Sequence, residues 1–414
     1  MNNIRKLEDI ISVIIIIFMS GAVKFQNNNR LYSMILPVVL LTIYFCRKGM
    51  SFKYDTALGF FVLLAGWLLF STLMHFLIFG QSVFPVGDII KILSGYIMIG
   101  IMPDMKKFIE CYNKVILFLA VTSLMVWVML SMDADWVKKF DIIHDYAYSR
   151  YYDIHIYAVA YNAAAGSGTI RNNSIFWEPG AYQLFLNISI FFDLIYKKRT
   201  INPEIIIKII ALFTTFSTTG YIILGIIIAL KYLNLKRTIE KLLVFIVGIT
   251  MFFGIFWQNF LDKFSTTGDS YMSYSRRSFD VIFDLKVWCG SPFSFLFGVG
   301  MKEYQNQFGT LLSDWMGSHM VTAGASSNGL TSLLSMYGIM GFTIIIFFYT
   351  CCIYKFRNDI DTKVIFAVLL IFMIAVATEN FLFSPLLISL AMYLNQYRRI
   401  DRLRYYVNDR RKGY

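Results

Sequence analysis

Long apolar runs constrain this chain more than any other feature. They are about 15–25 residues each, close to what a helix needs to cross a hydrocarbon core roughly 30 Å thick. A water-soluble core would scatter its apolar residues at helical or strand period instead. Hydrophobic residues fill 57% of the 414 positions and charged residues only 15%, against about 25% in soluble proteins. The expected fold class is an all-α polytopic membrane protein, a single membrane domain over 1–414 with about 12 transmembrane helices. Spans are expected near 9–23, 31–45, 56–80, 88–103, 115–131, 181–197, 204–218, 219–233, 242–258, 328–353, 364–378 and 381–396. Several fall short of ~20 residues, so some pairs are open to being broken helices.

Net charge is +12, but its placement argues against a nucleic-acid partner. Lys and Arg gather in short loops between apolar runs and in a basic tail, 397–414, that includes Arg398, Arg399, Arg402 and Arg404. Orientation by the positive-inside rule explains this pattern, with contact to anionic lipids as a further use. Loops carrying Arg47/Lys48, Lys106/Lys107, Lys197/Lys198/Arg199, Lys231/Lys236 and Lys355/Arg357 all fall on one side when spans alternate, and both termini join them inside. Arg5 and Lys6 precede the first apolar run without a convincing cleavage site, so that run is read as an uncleaved helix. Of Cys46, Cys111, Cys289, Cys351 and Cys352, only Cys289 falls outside, so no outer disulfide is expected. No spacing of His and Cys points to a metal, and no cofactor is implied.

Two long segments remain outside, 132–180 and 259–327. Within the first, ADWVKKFDIIHD over 134–145 spaces Trp136, Phe140 and Ile143 as on a helix lying at the membrane surface. Tyrosines follow at 146, 148, 151, 152, 157 and 161. Such rings fit an interfacial belt and equally the apolar faces of sugars; Tyr152 is the candidate for glycan contact. His75 lies in a span, where packing is expected rather than reaction.

The loop re-enters the membrane through Arg171-Asn-Asn-Ser-Ile-Phe-Trp177-Glu178-Pro179-Gly180. Pro179 and Glu178 suit a helix start. Arg171, close to hydrocarbon, requires an anionic partner, either Glu178 or a lipid phosphate. In the second loop, Ser275-Arg276-Arg277-Ser278 precedes Phe279, Ile282, Phe283 and Trp288 at helical spacing. That reads as an amphipathic helix with two arginines at its start, where cations oppose the helix dipole unless an anion is bound. Arginine forks hold diphosphate oxygens well, although a solvated pair also fits. Glu379 and Asn380 interrupt a long apolar stretch, marking a site or a hairpin tip. His319 is the histidine of the second loop.

At these residues the chain resembles the bacterial O-antigen polymerase (Wzy-type) family, within the superfamily that includes O-antigen ligases. In order, the matching features are Arg171 through Phe176-Trp177-Glu178-Pro179-Gly180, then Phe213-Thr-Thr-Phe-Ser-Thr-Thr-Gly220, then Ser275-Arg276-Arg277. Phe297-Gly298-Val299-Gly300 and Ser326-Ser327-Asn328-Gly329, leading to Tyr337-Gly338-Ile339-Met340-Gly341, complete the set. The resemblance implies a metal-independent glycosyltransferase of the bacterial inner membrane with its active site facing the periplasm. It would join undecaprenyl-diphosphate-linked repeat units, with a chain-length regulator as protein partner. Arg171, Arg276 and Arg277 would bind diphosphate, with Asn328, Tyr152 and Trp177 also on the substrate. Glu178 would be the first candidate base, with Glu379 and His319 behind it. Where ligases of the superfamily carry a histidine before the Asn, this chain has Ser327, which favours polymerase over ligase. A lipid-linked oligosaccharide flippase is the rival of another class; it would need charges deep in several spans, and here Lys91 and Lys208 are the main ones.

Overall fold

A computed structural model of the protein describes residues 2–26, 30–49, 55–80, 83–145, 150–162, 169–232, 269–316, 326–355 and 362–395. The span expected at 242–258, His319 and the basic tail lie outside the described residues.

The chain is predominantly helical, as a membrane protein of helical class must be to satisfy its backbone within lipid. Among the described residues, four helices are long and apolar enough to cross a bilayer: Leu31–Lys48, Thr56–Phe79, Met105–Met132 and Gly329–Tyr354. Thr218–Tyr232, Val364–Thr378 and Pro385–Asn395 are shorter apolar helices. Local chemistry fixes the bounds of Thr56–Phe79. Asp55 caps its start by accepting from the Leu58 amide, and Gly80, at φ 66°, closes its end by donating to the Phe76 carbonyl,. Leu63, Leu69, Leu73, Phe76 and Leu77 stand exposed along it, the surface a lipid-facing helix presents.

Two compact units divide the chain. The first combines 1–20, 33–108 and 279–414; the second combines 21–32 and 109–278. In the first, Arg47 ties helix ends together. Its guanidinium reaches Glu8 and Asp9, each at 2.7 Å, and donates to the Ile101 carbonyl at 3.1 Å. Lys107 also pairs with Asp9, which is fully buried. Elsewhere in this unit two glycine segments interlock. Gly298 (φ 76°) lies so close to Met336 that a Cβ there would overlap its carbonyl, and a Cβ on Gly338 (φ 65°) would overlap the carbonyl of Leu296. That approach lets Val299 donate to Ser335 O at 2.9 Å and Gly300 to Met336 O at 3.1 Å. Gly338 is the kink within the helix Gly329–Lys355, and only glycine adopts such angles without strain.

The second unit contains a four-stranded antiparallel sheet in sequential order: β1 (Asp141–Asp145), β2 (Arg150–Ile154), β3 (Tyr157–Asn162) and β4 (Thr169–Asn172). This corrects the surface helix expected at 134–145, of which only Ala134–Lys139 forms a 3-10 turn. Ile142 pairs with Tyr152 of the aromatic β2, and β-branched residues beside aromatic ones favour a pleated surface over a helix. Tyr152 stands opposite Val159, and Tyr161 opposite Ile170. With Leu130 and Val137 these residues form a buried cluster. His155, at φ 58°, turns β2 into β3. Trp127 Nε1 donates to Ile170 O at 2.8 Å, and Tyr157 donates to Thr122 Oγ1 at 2.6 Å. Both bonds fasten the sheet to the helix Met105–Met132.

Candidate functional site

In the second unit, Arg171 sits on β4 and is held by a turn. Helices Pro203–Phe213 and Thr218–Tyr232 are separated by four residues in which Thr214 and Thr215 bond back to Ala211 O and Leu212 O, each at 2.7 Å. Phe216 then takes a left-handed conformation, φ 49°, uncommon for a bulky residue. The exposed carbonyls meet Arg171, which donates from Nε to Thr215 O at 3.0 Å and from a terminal nitrogen to Phe216 O at 3.3 Å. Asn172 locks the register, its amide donating to Thr214 O at 2.9 Å and its side chain to Thr214 Oγ1 at 3.0 Å.

Two carbonyls orient a guanidinium without cancelling its charge. Among the described residues no carboxylate lies within 4.0 Å of Arg171, so of the two partners the sequence offers, Glu178 and a lipid phosphate, the first is not in an ion pair with it. Burial pushes the Arg171 guanidinium below its ordinary range. Glu178 and Tyr151 favour its charge, whereas Arg277 disfavours it. Arginine nonetheless keeps its proton in proteins, so two cations share a small region.

Glu178 precedes Pro179, the first residue of the helix Pro179–Phe191, as the sequence indicates. Its backbone carbonyl accepts from Ala181 and Tyr182, both at 3.2 Å, while its carboxylate does not cap and accepts from Trp177 Nε1 at 3.0 Å. Trp177 is in turn placed by Gly21: a Cβ there would lie 2.8 Å from its ring, and Val23 donates to Ile175 O at 2.9 Å. The segment 175–178 is therefore clamped from two sides, with Glu178 partly open.

Arg276 and Arg277 are not at a helix start. Their helix runs Asp269–Trp288, placing them two turns in, so the dipole argument for a bound anion falls. The helix starts instead at Asp269. Arg277 is exposed and Arg276 half-buried. Ile282, expected on the apolar face, is exposed.

The first unit holds a separate polar group that sequence reasoning missed. Asp280 and Asp284 are buried on the same helix face as Phe283 and Val287. Asp280 Oδ2 accepts from the Ser327 amide at 2.9 Å and its hydroxyl at 2.7 Å. Asp284 accepts from Tyr304 at 2.8 Å and from Thr331. Burial, aided by nearby Asp280 and opposed by these hydrogen bonds, raises Asp284 to about 6. The signal was present: carboxylates four apart, in register with apolar residues at i+3 and i+7.

Other expected site residues have structural employment. Asn328 caps the helix Gly329–Lys355, its side-chain oxygen accepting from Leu330 and Thr331 at 3.0 and 3.1 Å. Tyr152 is 2% exposed with its ring edge-on to Tyr161, so it is core and not a glycan platform. Glu379 is buried, and its carbonyl leaves room only for a glycine at 329. His75 is packed as expected, Nε2 lying 3.0 Å from Phe297 O. No family model matches the chain, and a search of curated proteins returns no match.

Proposed function

We propose that this protein is a glycosyltransferase that polymerises lipid-diphosphate-linked oligosaccharide units at the periplasmic face of a bacterial inner membrane. One observation carries the reading: Arg171 is aimed by the Thr215 and Phe216 carbonyls while Arg277 is near enough to oppose its charge. Two cations near one another, with Glu178 close enough to be felt but not ion-paired to Arg171, favour an anionic ligand. The placement beside aromatic and membrane-borne elements favours one delivered on a lipid.

In this reaction an acceptor hydroxyl attacks the anomeric carbon of the lipid-linked chain. The bond from that carbon to the diphosphate oxygen breaks, and its electron pair leaves with the diphosphate. Arg171 and Arg277, with Arg276 next to Arg277 in the chain, stabilise the charge that develops there. Glu178, partly open and oriented by Trp177, takes the hydroxyl proton. About 12 spans and a chain-length regulator as partner belong to the same proposal.

Purified protein in detergent, supplied with lipid-diphosphate-linked repeats, tests it. Elongated ladders are expected from the wild type and none from Arg171→Ala or Arg277→Ala at normal protein levels. Ladders from both variants would discard the diphosphate pocket. Transfer to lipid A-core, the ligase alternative, predicts bare core on gene deletion, whereas polymerase loss leaves single repeats. Transport is disfavoured by Lys208, a buried cation already paired with Asp193 at 2.7 Å.

A further inference from the structure

The first unit contains a cavity of about 230 Å³ between the segment 83–91 and the turn 299–303, with His75 and Tyr337 in its wall. We infer that this cavity is a binding subsite for one neutral sugar ring, formed by Asp88, Lys91, Lys302, Glu303 and Tyr337. The inference rests on the glycan reading of the protein and adds a site in the first unit to the Arg171 site of the second.

Size comes first. Pockets for drug-sized ligands run from roughly 300 to 1,000 Å³, so this one suits a single ring. Charge comes next. Two lysines and two carboxylates line it, and Asp88 pairs with Lys91 at 3.2 Å. Formal charges thus balance, unlike the cation surplus that a phosphate site requires. Balanced ammonium and carboxylate groups suit hydroxyls, which both donate and accept.

A third observation is independent of both. Tyr337 is 7% exposed, lines the cavity, and its hydroxyl has no hydrogen-bond partner among the described residues. The oxygen is not sealed from the cavity, so it is open to a hydroxyl of a bound sugar, and a tyrosine hydroxyl can both donate to it and accept from it. Phe84, Pro85 and Val299 give the apolar surface that the C–H face of a sugar needs,. His75 is held at Nε2 by the Phe297 carbonyl at 3.0 Å and meets the Ser71 hydroxyl at Nδ1 at 3.5 Å, so it is a fixed part of the wall. A Cβ on Gly300 would lie 2.8 Å from Nδ1, which places that nitrogen against the turn forming one wall. The charge rule assigns both 81–87 and 259–327 to the outer side, where lipid-linked glycans would be met.

Saturation-transfer NMR on the purified full chain tests the site, with glucose, galactose and N-acetylglucosamine as probes and inorganic phosphate as competitor. At least one hexose is expected to bind saturably. Asp88→Asn and Tyr337→Phe should each weaken it about tenfold, the value of one or two polar contacts, while Arg171→Ala leaves it unchanged. Absence of binding by every hexose, or binding indifferent to both cavity variants, would overturn the site. Displacement by phosphate would also overturn it, in favour of an anion pocket. Ladder formation without hexose binding rejects this inference alone, whereas cavity-dependent binding without ladders rejects the polymerase reading alone.

Discussion

Arg171 donates to the carbonyl of Thr215, a residue 44 positions later in the chain, and that bond aims a membrane-proximal cation. Arg171→Lys should therefore fail nearly as fully as Arg171→Ala. An ammonium lacks the planar fork that holds two carbonyls and still offers N–H groups to an anion. Polymer ladders from the purified variants check this; more than half of wild-type elongation with lysine would reduce the requirement to charge alone.

Glu178→Gln should form no polymer yet fold normally, because the amide still accepts from Trp177 and the helix start does not depend on a side-chain cap. Wild-type turnover in this variant moves the base elsewhere.

Stability should fall as pH rises through the titration of Asp284. Its folded value, about 6, lies above the usual ~4 of an unfolded aspartate. The folded state therefore holds the proton more tightly, its benefit is complete below pH 4, and it is lost as pH passes 6. The size is roughly 3 kcal/mol. Thermal melts in detergent between pH 4.5 and 7.5 should flatten in Asp284→Asn, and an unchanged slope would assign the dependence to another group.

Gly298→Ala should destabilise by about 2–3 kcal/mol or prevent folding, through left-handed strain and overlap with Met336. Gly225→Ala, where a Cβ meets nothing within 4 Å, is the matched control and should leave the melting temperature unchanged or raise it.

Tyr152→Phe should leave both folding and polymer formation intact, while Tyr152→Ala costs about 3–5 kcal/mol as a core truncation. Loss of activity in the phenylalanine variant with an unchanged melt would restore a direct contact with glycan.

The spans expected near 31–45, 56–80, 115–131 and 328–353 fall on helices of membrane length, and they were legible because hydrocarbon thickness imposes a length that composition reveals directly. So was Pro179 as a helix start, since its chemistry is local. Tyr152 was misassigned because a tyrosine run reads alike on an interface, a sugar platform and a small sheet; only pairing with Val159 decides. Arg276 and Arg277 were placed at a helix start because the apolar spacing begins at Phe279, whereas the helix starts ten residues earlier in a polar stretch without periodicity. Asp280 and Asp284 were overlooked since their partners, Ser327 and Thr331, lie 47 residues away. The spacing of the two carboxylates among apolar residues was visible, but bonds of that range to particular partners were not.

Asp9, enclosed between Arg47 and Lys107, ties the first helix to two later segments through one buried carboxylate. Losing either cation would leave that carboxylate a single charged partner where water cannot reach it, and burial would then penalise its charge. The seat of the first helix therefore depends on both cations at once.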